Sequence, residues 1–467
     1  MGTLDKLLPV ILGACMTLGF APFHMTFLLV LSIALTYKKL KSTLSAREVL
    51  SFSLWFGSSF FLISLYWISF SLATDMEHFW WLIIPTPIAL SIFLSLYFVL
   101  AFGIFKFIKY QNPITFTFII TLSEYLREIC FSGFPWNLIG YTWNCLGVLQ
   151  FASIFGIFGL TALTTFVSAS LGELLFEDSK VARTYILCSV SLLVCVFSFG
   201  LIRLHNNPIR NSQKIVRIVQ ANIPHQQRWS TDYSRTVLQK YVEMSKAKDF
   251  QSIDYFIWPE SSVPFLLHTR KSDITKYISA NLGKIVIAGG TRIENNNIYN
   301  SIFLIKDGQV EDYYDKIKLV PLGEYVPLGN ILPINKIVNG ASNFTHGKKR
   351  RKILEGINAA PTICYESIFT SSLHGNCTAD WNINLVNDSW FGNSTALYQH
   401  LQMARMRAIE YGLPIIRSTT TGISAVIDPY GRILARIPYS SQGILDIPIP
   451  RKHSRRTFYT LLHNLFH

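Results

Sequence analysis

Apolar runs of bilayer length crowd the first 205 residues of this 467-residue chain and then stop. A hydrocarbon core of about 30 Å is crossed by roughly 20 apolar residues in helical form. Stretches at 8–23, 25–37, 49–71, 80–108, 114–131, 151–176 and 183–203 meet or approach that length, the first two being the shortest. The sequence therefore predicts a bundle of about seven membrane helices over 1–205. The first run lacks an A-x-A-like cleavage site and is followed by further apolar runs, so it reads as a retained helix and not as a signal peptide. The overall composition, 50% hydrophobic and 15% charged, is far from that of an average soluble protein.

Charge orients the bundle. Lys38, Lys39, Lys41 and Arg47 follow the second run and Lys106 and Lys109 follow the fourth, whereas the alternate loops hold Asp75 and Glu77 or the uncharged stretch 132–147. Basic loops stay in the cytoplasm. Seven spans from a cytoplasmic N-terminus then place everything after about residue 205 on the opposite, periplasmic side. The formal charge of +14 fits a protein with basic cytoplasmic loops against anionic lipid. Neither a basic face nor a binding motif points to nucleic acid.

Residues 206–450 read as globular. Short β-rich runs at 215–220, 255–258, 284–288, 298–305, 362–365, 383–386, 415–419 and 424–427 alternate with helical stretches, the pattern of an α/β domain with a substantial sheet. The longest helix expected there spans 397–411, where Gly412 and Pro414 stop it. The chain ends in a basic amphipathic tail, 451–467. Phe458, Leu461, Leu462, Leu465 and Phe466 share one face at helical spacing beyond Arg451, Lys452, Arg455 and Arg456, which predicts an interfacial helix too short to span.

Three of the expected strands and loops end on reactive side chains: Glu260 in Trp258-Pro-Glu-Ser-Ser, Lys316 in Tyr314-Asp-Lys-Ile-Lys, and Cys364 in Thr362-Ile-Cys-Tyr-Glu. Each alone has an ordinary explanation: a helix-capping carboxylate, a solvated lysine, or a small buried hydrophobe. Together they form a coherent set. A thiol attacks only as thiolate and needs a base, and a tetrahedral oxyanion needs a positive donor. The other cysteines lie in or beside apolar segments, except Cys377 in a polar loop, and no Cys/His spacing suggests zinc or a disulfide framework.

These segments resemble the nitrilase superfamily and, within it, the apolipoprotein N-acyltransferases, and the resemblance covers nearly the whole chain. It is carried by Gly19-Phe-Ala-Pro-Phe, Ser123-Glu-Tyr-Leu-Arg with Gly133-Phe-Pro-Trp, and Gln220-Ala-Asn-Ile-Pro with Trp229. It continues through Trp258-Pro-Glu-Ser, Tyr314-Asp-Lys, Leu319-Val-Pro-Leu-Gly-Glu-Tyr-Val-Pro and Ile363-Cys-Tyr-Glu. Asn387-Asp-Ser-Trp-Phe-Gly, His400-Leu-Gln-Met-Ala-Arg-Met-Arg-Ala and Thr421-Gly-Ile-Ser-Ala-Val-Ile-Asp-Pro complete it. The resemblance implies a four-layer α-β-β-α sandwich for the soluble half, with Glu260 as general base, Lys316 at the oxyanion and Cys364 as the acylated nucleophile. It further implies supporting roles for Trp229, Glu324, Tyr365 and Glu366, with Glu324 and Glu366 expected to hold Lys316 and an entering amine.

The implied reaction is ping-pong, without metal or cofactor. An acyl chain passes from a phospholipid, phosphatidylethanolamine in the family's pattern, through a Cys364 thioester to the α-amine of a diacylglyceryl-cysteine at an apolipoprotein N-terminus. The triad alone is equally compatible with a membrane-tethered nitrilase-type amidohydrolase. In the membrane half, Glu124 and Arg127 lie three residues apart on one helix face and are expected to pair, while Phe134, Pro135 and Trp136 are expected to form a lipid-receiving rim or, more simply, an aromatic belt. Relatives in the family it resembles usually close with an eighth membrane helix, and here only about a dozen weakly apolar residues follow Arg456.

Overall fold

The computed structural model describes residues 3–223, 231–267, 272–325, 343–348, 354–375 and 378–466. It divides into two compact units: Met1–Ala73, Phe79–Asn207 and Ser394–Gln402 form the first, and Thr74–His78, Pro208–Asn393 and Met403–His467 the second.

The first unit is helical: α1 (Thr3–Thr17), α2 (Thr26–Lys41), α3 (Ala46–Ser64), α4 (Pro85–Phe107), α5 (Pro113–Ile129), α6 (Ala152–Phe176) and α7 (Lys180–His205). Each falls on an expected apolar run, and local chemistry trims the ends. Ser45 and Glu48 form a capping box that starts α3, and Asn112 caps α5 with Pro113 in its first turn. Pro85 opens α4, so the run expected from residue 80 begins as a 3₁₀ turn, Trp80–Leu82. The run expected over 49–71 breaks after Ser64 and resumes as Ile68–Ala73. By length and apolarity α4, α6 and α7 can each cross a bilayer. Leu187, Val190, Val194 and Leu201 leave α7 largely exposed, a surface suited to lipid and not to water.

Inside this unit Glu124 and Arg127 do pair, at 3.4 Å, with both side chains buried. Glu124 also accepts from the Ile139 N–H and the Thr161 hydroxyl, and Arg127 donates to the Phe134 and Trp136 carbonyls at 2.9 and 2.7 Å. The pair thus pins the loop 134–139. The lipid rim expected of that loop is not what the structure places there. Pro135 and Trp136 are buried, Trp136 packs 4.7 Å from Trp67, and its indole N–H donates to Gln399 at 2.8 Å. A desolvated indole takes the partner that a rim position would leave to water.

The second unit holds two sheets. The larger has the order β12-β1-β2-β4-β5-β6, with β3 also paired to β4, and the smaller has the order β11-β10-β9-β8-β7. The strands are β1 (Asn211–Gln220), β2 (Tyr255–Ile257), β3 (Val263–Leu267), β4 (Ile285–Glu294), β5 (Asn297–Lys306), β6 (Gln309–Asp315), β7 (Ala359–Ile363), β8 (Trp381–Val386), β9 (Ile415–Thr419), β10 (Ser424–Ile427), β11 (Ile433–Ile437) and β12 (Gly443–Pro450). Alternation sorts their side chains. Val216, Ile218, Ile257 and Ile287 meet Ile363, Ile383, Leu385 and Ile416 between the sheets. Val219, Phe256, Trp258 and Val286 turn outward onto α8 (Thr231–Ser245) and α9 (Asp273–Leu282). Pro361 is tolerated because β7 is an edge strand.

The helix expected over 397–411 is α10 (Ala396–Tyr411), and Gly412 takes the left-handed conformation that ends it, at φ 64°. The expected tail helix is α11 (Phe458–Phe466). Its Tyr459 ring packs 5.5 Å from Tyr411, while Phe458 and Leu461 are exposed on the other side.

Helix α7 approaches the turn Leu146–Leu149 so closely that a Cβ on Gly200 would lie 1.8 Å from the Gly147 carbonyl oxygen. Gly200→Val should therefore force the backbones apart at a cost of about 1–3 kcal/mol, the usual penalty of overpacking. A lowered melting temperature of the detergent-solubilised protein checks this, and an unchanged melt contradicts it.

Candidate active site

Parallel strands deliver their C-terminal ends to one edge of a sheet, where the chain must turn and side chains are free to converge. In the larger sheet β1, β2 and β4 run parallel. Just beyond β2 comes Glu260, whose turn nests against β4. A Cβ on Gly289 would lie 2.5 Å from the Glu260 Cα, so only glycine lets the turn sit there. Lys316 is the first residue after β6, and its N–H donates to the Asn300 carbonyl at 2.8 Å. Its predecessor Asp315 is clamped by Arg292 at 2.8 Å and by the Ser301 hydroxyl at 2.6 Å. Cys364 follows β7 directly and adopts φ 46°. A left-handed residue with a Cβ costs on the order of 1–3 kcal/mol and persists only where its surroundings dictate it.

The three side chains meet in a buried cluster. Lys316 is 1% exposed, Glu260 5% and Cys364 9%. The Lys316 ammonium lies 2.9 Å from Glu324 and 3.8 Å from Glu260. The Asn300 amide donates to both carboxylates, at 2.8 Å to Glu260 and 2.9 Å to Glu324. The second Glu324 oxygen accepts the Val320 N–H at 2.8 Å. The Cys364 thiol hydrogen-bonds to Glu260, and its sulfur receives the Asn387 N–H.

Burial sets the protonation of this cluster. It pushes the Glu260 carboxyl up, with Lys316 opposing and Glu324 assisting. Burial pushes the Cys364 thiol well above its ordinary value, again reinforced by Glu260 and opposed by Lys316. For Lys316 burial disfavours the charge, yet Glu324 and Glu260 outweigh it and hold the ammonium above its usual range. The Tyr365 phenol is pushed up by burial and by Tyr325, and stays a neutral donor.

Of the sequence-predicted set, Glu260, Lys316, Cys364 and Glu324 are brought together. Glu366 is not placed against the ammonium. It accepts from the Tyr314 hydroxyl at 2.8 Å and from the N–H groups of Ile317, Lys318 and Ile363 at 2.9, 3.1 and 2.8 Å. It is a fully buried brace between the Lys316 turn and the Cys364 turn. Trp229 and Cys377 lie outside the described residues. Sequence reasoning missed Asn300, whose one signal is an amide among apolar residues in a predicted strand. It also assigned no role to Arg292, Asp388 or Arg417.

Glu366→Gln replaces one acceptor oxygen by a donor that must face backbone N–H groups. Unsatisfied buried donors cost about 1–3 kcal/mol each. The variant is expected to melt several degrees lower than the parent protein, whereas a melt unaffected by the change contradicts the bracing role.

Comparison with known proteins extends this geometry to the rest of the chain. Residues 12–170 match the apolipoprotein N-acyltransferase N-terminal domain and residues 215–459 match carbon-nitrogen hydrolase. An apolipoprotein N-acyltransferase of Rhodopseudomonas palustris is 36% identical over 429 residues, covering 85% of this chain and 79% of that one. One from Rickettsia bellii is 33% identical over 477 residues, covering 98% and 94%. One from Rickettsia prowazekii is 31% identical over 475 residues, covering 98% and 95%. Likeness that runs through both halves in the same order, at this identity and over most of each relative's length, means that this chain belongs to the apolipoprotein N-acyltransferase family.

Proposed function

We propose that this chain transfers an acyl chain from a membrane phospholipid, phosphatidylethanolamine being the expected donor, to the α-amine of the diacylglyceryl-cysteine that begins an apolipoprotein. The observation that carries the reading is a buried thiol hydrogen-bonded to a carboxylate whose neighbour is a charged ammonium, in a chain of the apolipoprotein N-acyltransferase family.

In this reading the Cys364 proton passes to Glu260 as the sulfur attacks the ester carbonyl. The Lys316 ammonium and the Tyr365 N–H receive the oxyanion. Collapse expels the lysophospholipid alkoxide, which takes the proton back from Glu260, and leaves a thioester. The amine then attacks, gives a proton to Glu260 and forms the amide, and the departing thiolate recovers that proton. Glu324 keeps Lys316 charged throughout. Both substrates carry acyl chains that would cost about 0.8 kcal/mol per CH₂ to expose to water, which accounts for a catalytic domain joined to membrane helices.

Incubation with labelled phospholipid followed by intact-protein mass spectrometry tests the nucleophile. Cys364→Ala should show no hydroxylamine-sensitive adduct and no transfer, while Cys377→Ala should keep both. An adduct on Cys364→Ala overturns the assignment. Acyl transfer to water in preference to a lipopeptide amine would favour an amidohydrolase instead.

Glu324→Gln removes the nearest charge that holds Lys316 up. The lysine pKa then falls, the ammonium is lost at lower pH, and the alkaline decline of kcat/KM should begin earlier than in the parent enzyme. A pH–rate profile with the alkaline limb unmoved contradicts the pairing.

The basic loop at Lys38, Lys39 and Lys41 is proposed to be cytoplasmic and the catalytic domain periplasmic. A cysteine introduced at Lys39 should resist an impermeant thiol reagent applied from the periplasm; rapid labelling reverses the topology.

A further inference from the structure

The three parallel strands of the smaller sheet, β7, β8 and β9, leave it at one level. Ile363 pairs with Leu385, and Val386 with Thr419. The next residues out are Cys364, Asn387 and Thr420. Asn387 matters through its backbone, because its N–H is the donor aimed at the Cys364 sulfur. Its side chain is used to hold the turn: Oδ1 accepts from the Thr420 hydroxyl at 2.8 Å and the Ser389 hydroxyl at 2.6 Å.

Behind this turn lies an ion pair that the proposed chemistry does not use. Asp388 and Arg417 are both fully buried, and Arg417 Nη2 donates to Asp388 Oδ2 at 2.8 Å. The other arm of the guanidinium donates to Asn384 Oδ1 at 2.7 Å, fastening the fork to β8 itself. The fit has no slack on the far side, where a Cβ on Gly422 would lie 2.4 Å from Asp388 Oδ2. A buried pair of this kind is a poor source of stability, since an apolar replacement of the same volume is often as stable or more so. Its geometry has to be explained by what it positions.

We propose that the Asp388–Arg417 pair is a positioning element for the nucleophile: it fixes the turn after β8 so that the Asn387 N–H stays aimed at the Cys364 sulfur and stabilises the thiolate. When the S–H bond breaks and the proton moves to Glu260, the sulfur exchanges the role of donor for that of acceptor, and the Asn387 N–H is already in place. Among the described residues, the charged groups that act on this sulfur are Glu260 from the turn after β2, Lys316 from the turn after β6, and Asp388 from the turn after β8. Glu260 and Asp388 oppose a thiolate, and Lys316 favours it. Arg417 neutralises Asp388, so the same contact that sets the turn removes a like charge from the thiolate's surroundings.

The proposal rests on Cys364 as the reactive thiol, and its test reads that thiol directly. In the full-length protein, the rate of Cys364 alkylation by iodoacetamide at pH 8, followed on the Cys364 peptide by mass spectrometry, tracks the thiolate fraction. Arg417→Met leaves Asp388 uncompensated and the turn unheld, so alkylation should slow at least tenfold, with Arg417→Lys in between. Should Arg417→Met fail to fold, the double variant Asp388→Leu/Arg417→Met decides, because it removes both charges and is expected to keep the fold. Slow alkylation in the folded double variant supports positioning. Parental alkylation in the double variant, or in a folded Arg417→Met, overturns it. Loss of the phospholipid adduct reading with the alkylation shift intact counts against the acyl-transfer proposal and leaves this one standing.

Discussion

An ammonium buried to 1% exposure is the constraint around which the catalytic unit is organised. Removing such an ion from water costs several kcal/mol even after relaxation, and the chain must supply compensation from several directions. Glu324 and Glu260 provide opposite charge at 2.9 and 3.8 Å. Two carboxylates so close repel one another, and the Asn300 amide bridges them. The Val320 N–H satisfies the remaining Glu324 oxygen. Removing one partner of a buried pair typically costs 3–5 kcal/mol because a charge is stranded. The cluster is therefore cooperative: each member makes the burial of the others tolerable.

Holding those groups in register is a backbone problem before it is a side-chain one. Lys316 is fixed through Asp315, whose carboxylate is gripped by Arg292, itself sandwiched 4.3 and 4.4 Å from the rings of Tyr299 and Tyr313. Cys364 is fixed through Glu366, which ties the Ile363 N–H to the N–H groups of Ile317 and Lys318. One carboxylate thus locks the Cys364 turn to the Lys316 turn. Gly289 contributes by having no side chain, which lets the Glu260 turn rest directly on β4. The left-handed φ of Cys364 is the local cost of turning sharply out of β7 toward these partners.

Much of this was legible in the sequence, and the failures are instructive. Strands β9 and β10 and the stop of α10 at Gly412 are where apolar runs and turn residues put them. Strands β3, β6, β11 and β12 were not anticipated. Gln309-Val-Glu-Asp and the proline-bearing Gly443–Pro450 lack an apolar run, and they are strands because antiparallel partners pair with them, at β5 and β1. Glu260, Lys316 and Cys364 stood out because reactive side chains sat beyond predicted strands or in motif-bearing loops. Glu366 misled because nearness in sequence to Cys364 does not fix direction in space. After a left-handed residue the chain folds back, and the carboxylate points to backbone donors and not to the ammonium. Trp136 misled for a related reason. Its aromatic neighbours suggest a membrane surface, but a partner 263 residues away, Gln399, takes its N–H.

Burial that raises Cys364 alone would disfavour a thiolate, but Glu260 is raised too and the two shifts act together. Transfer of the proton from sulfur to carboxylate moves one negative charge a short way and creates none, so the desolvation penalty of the two states nearly cancels. What remains to decide the balance is local: which of the two sites lies nearer positive charge and hydrogen-bond donors. The Lys316 ammonium serves either site, the Asn300 amide donates to the carboxylate, and the Asn387 N–H serves the sulfur. A polar, water-filled cleft would lower the penalty for both groups and lose this selectivity, because solvent would stabilise whichever charge formed. It would also admit water to any thioester. In the proposed reaction, a buried site with a fixed ammonium and a fixed N–H would favour attack on an acyl carbon while withholding the competing nucleophile.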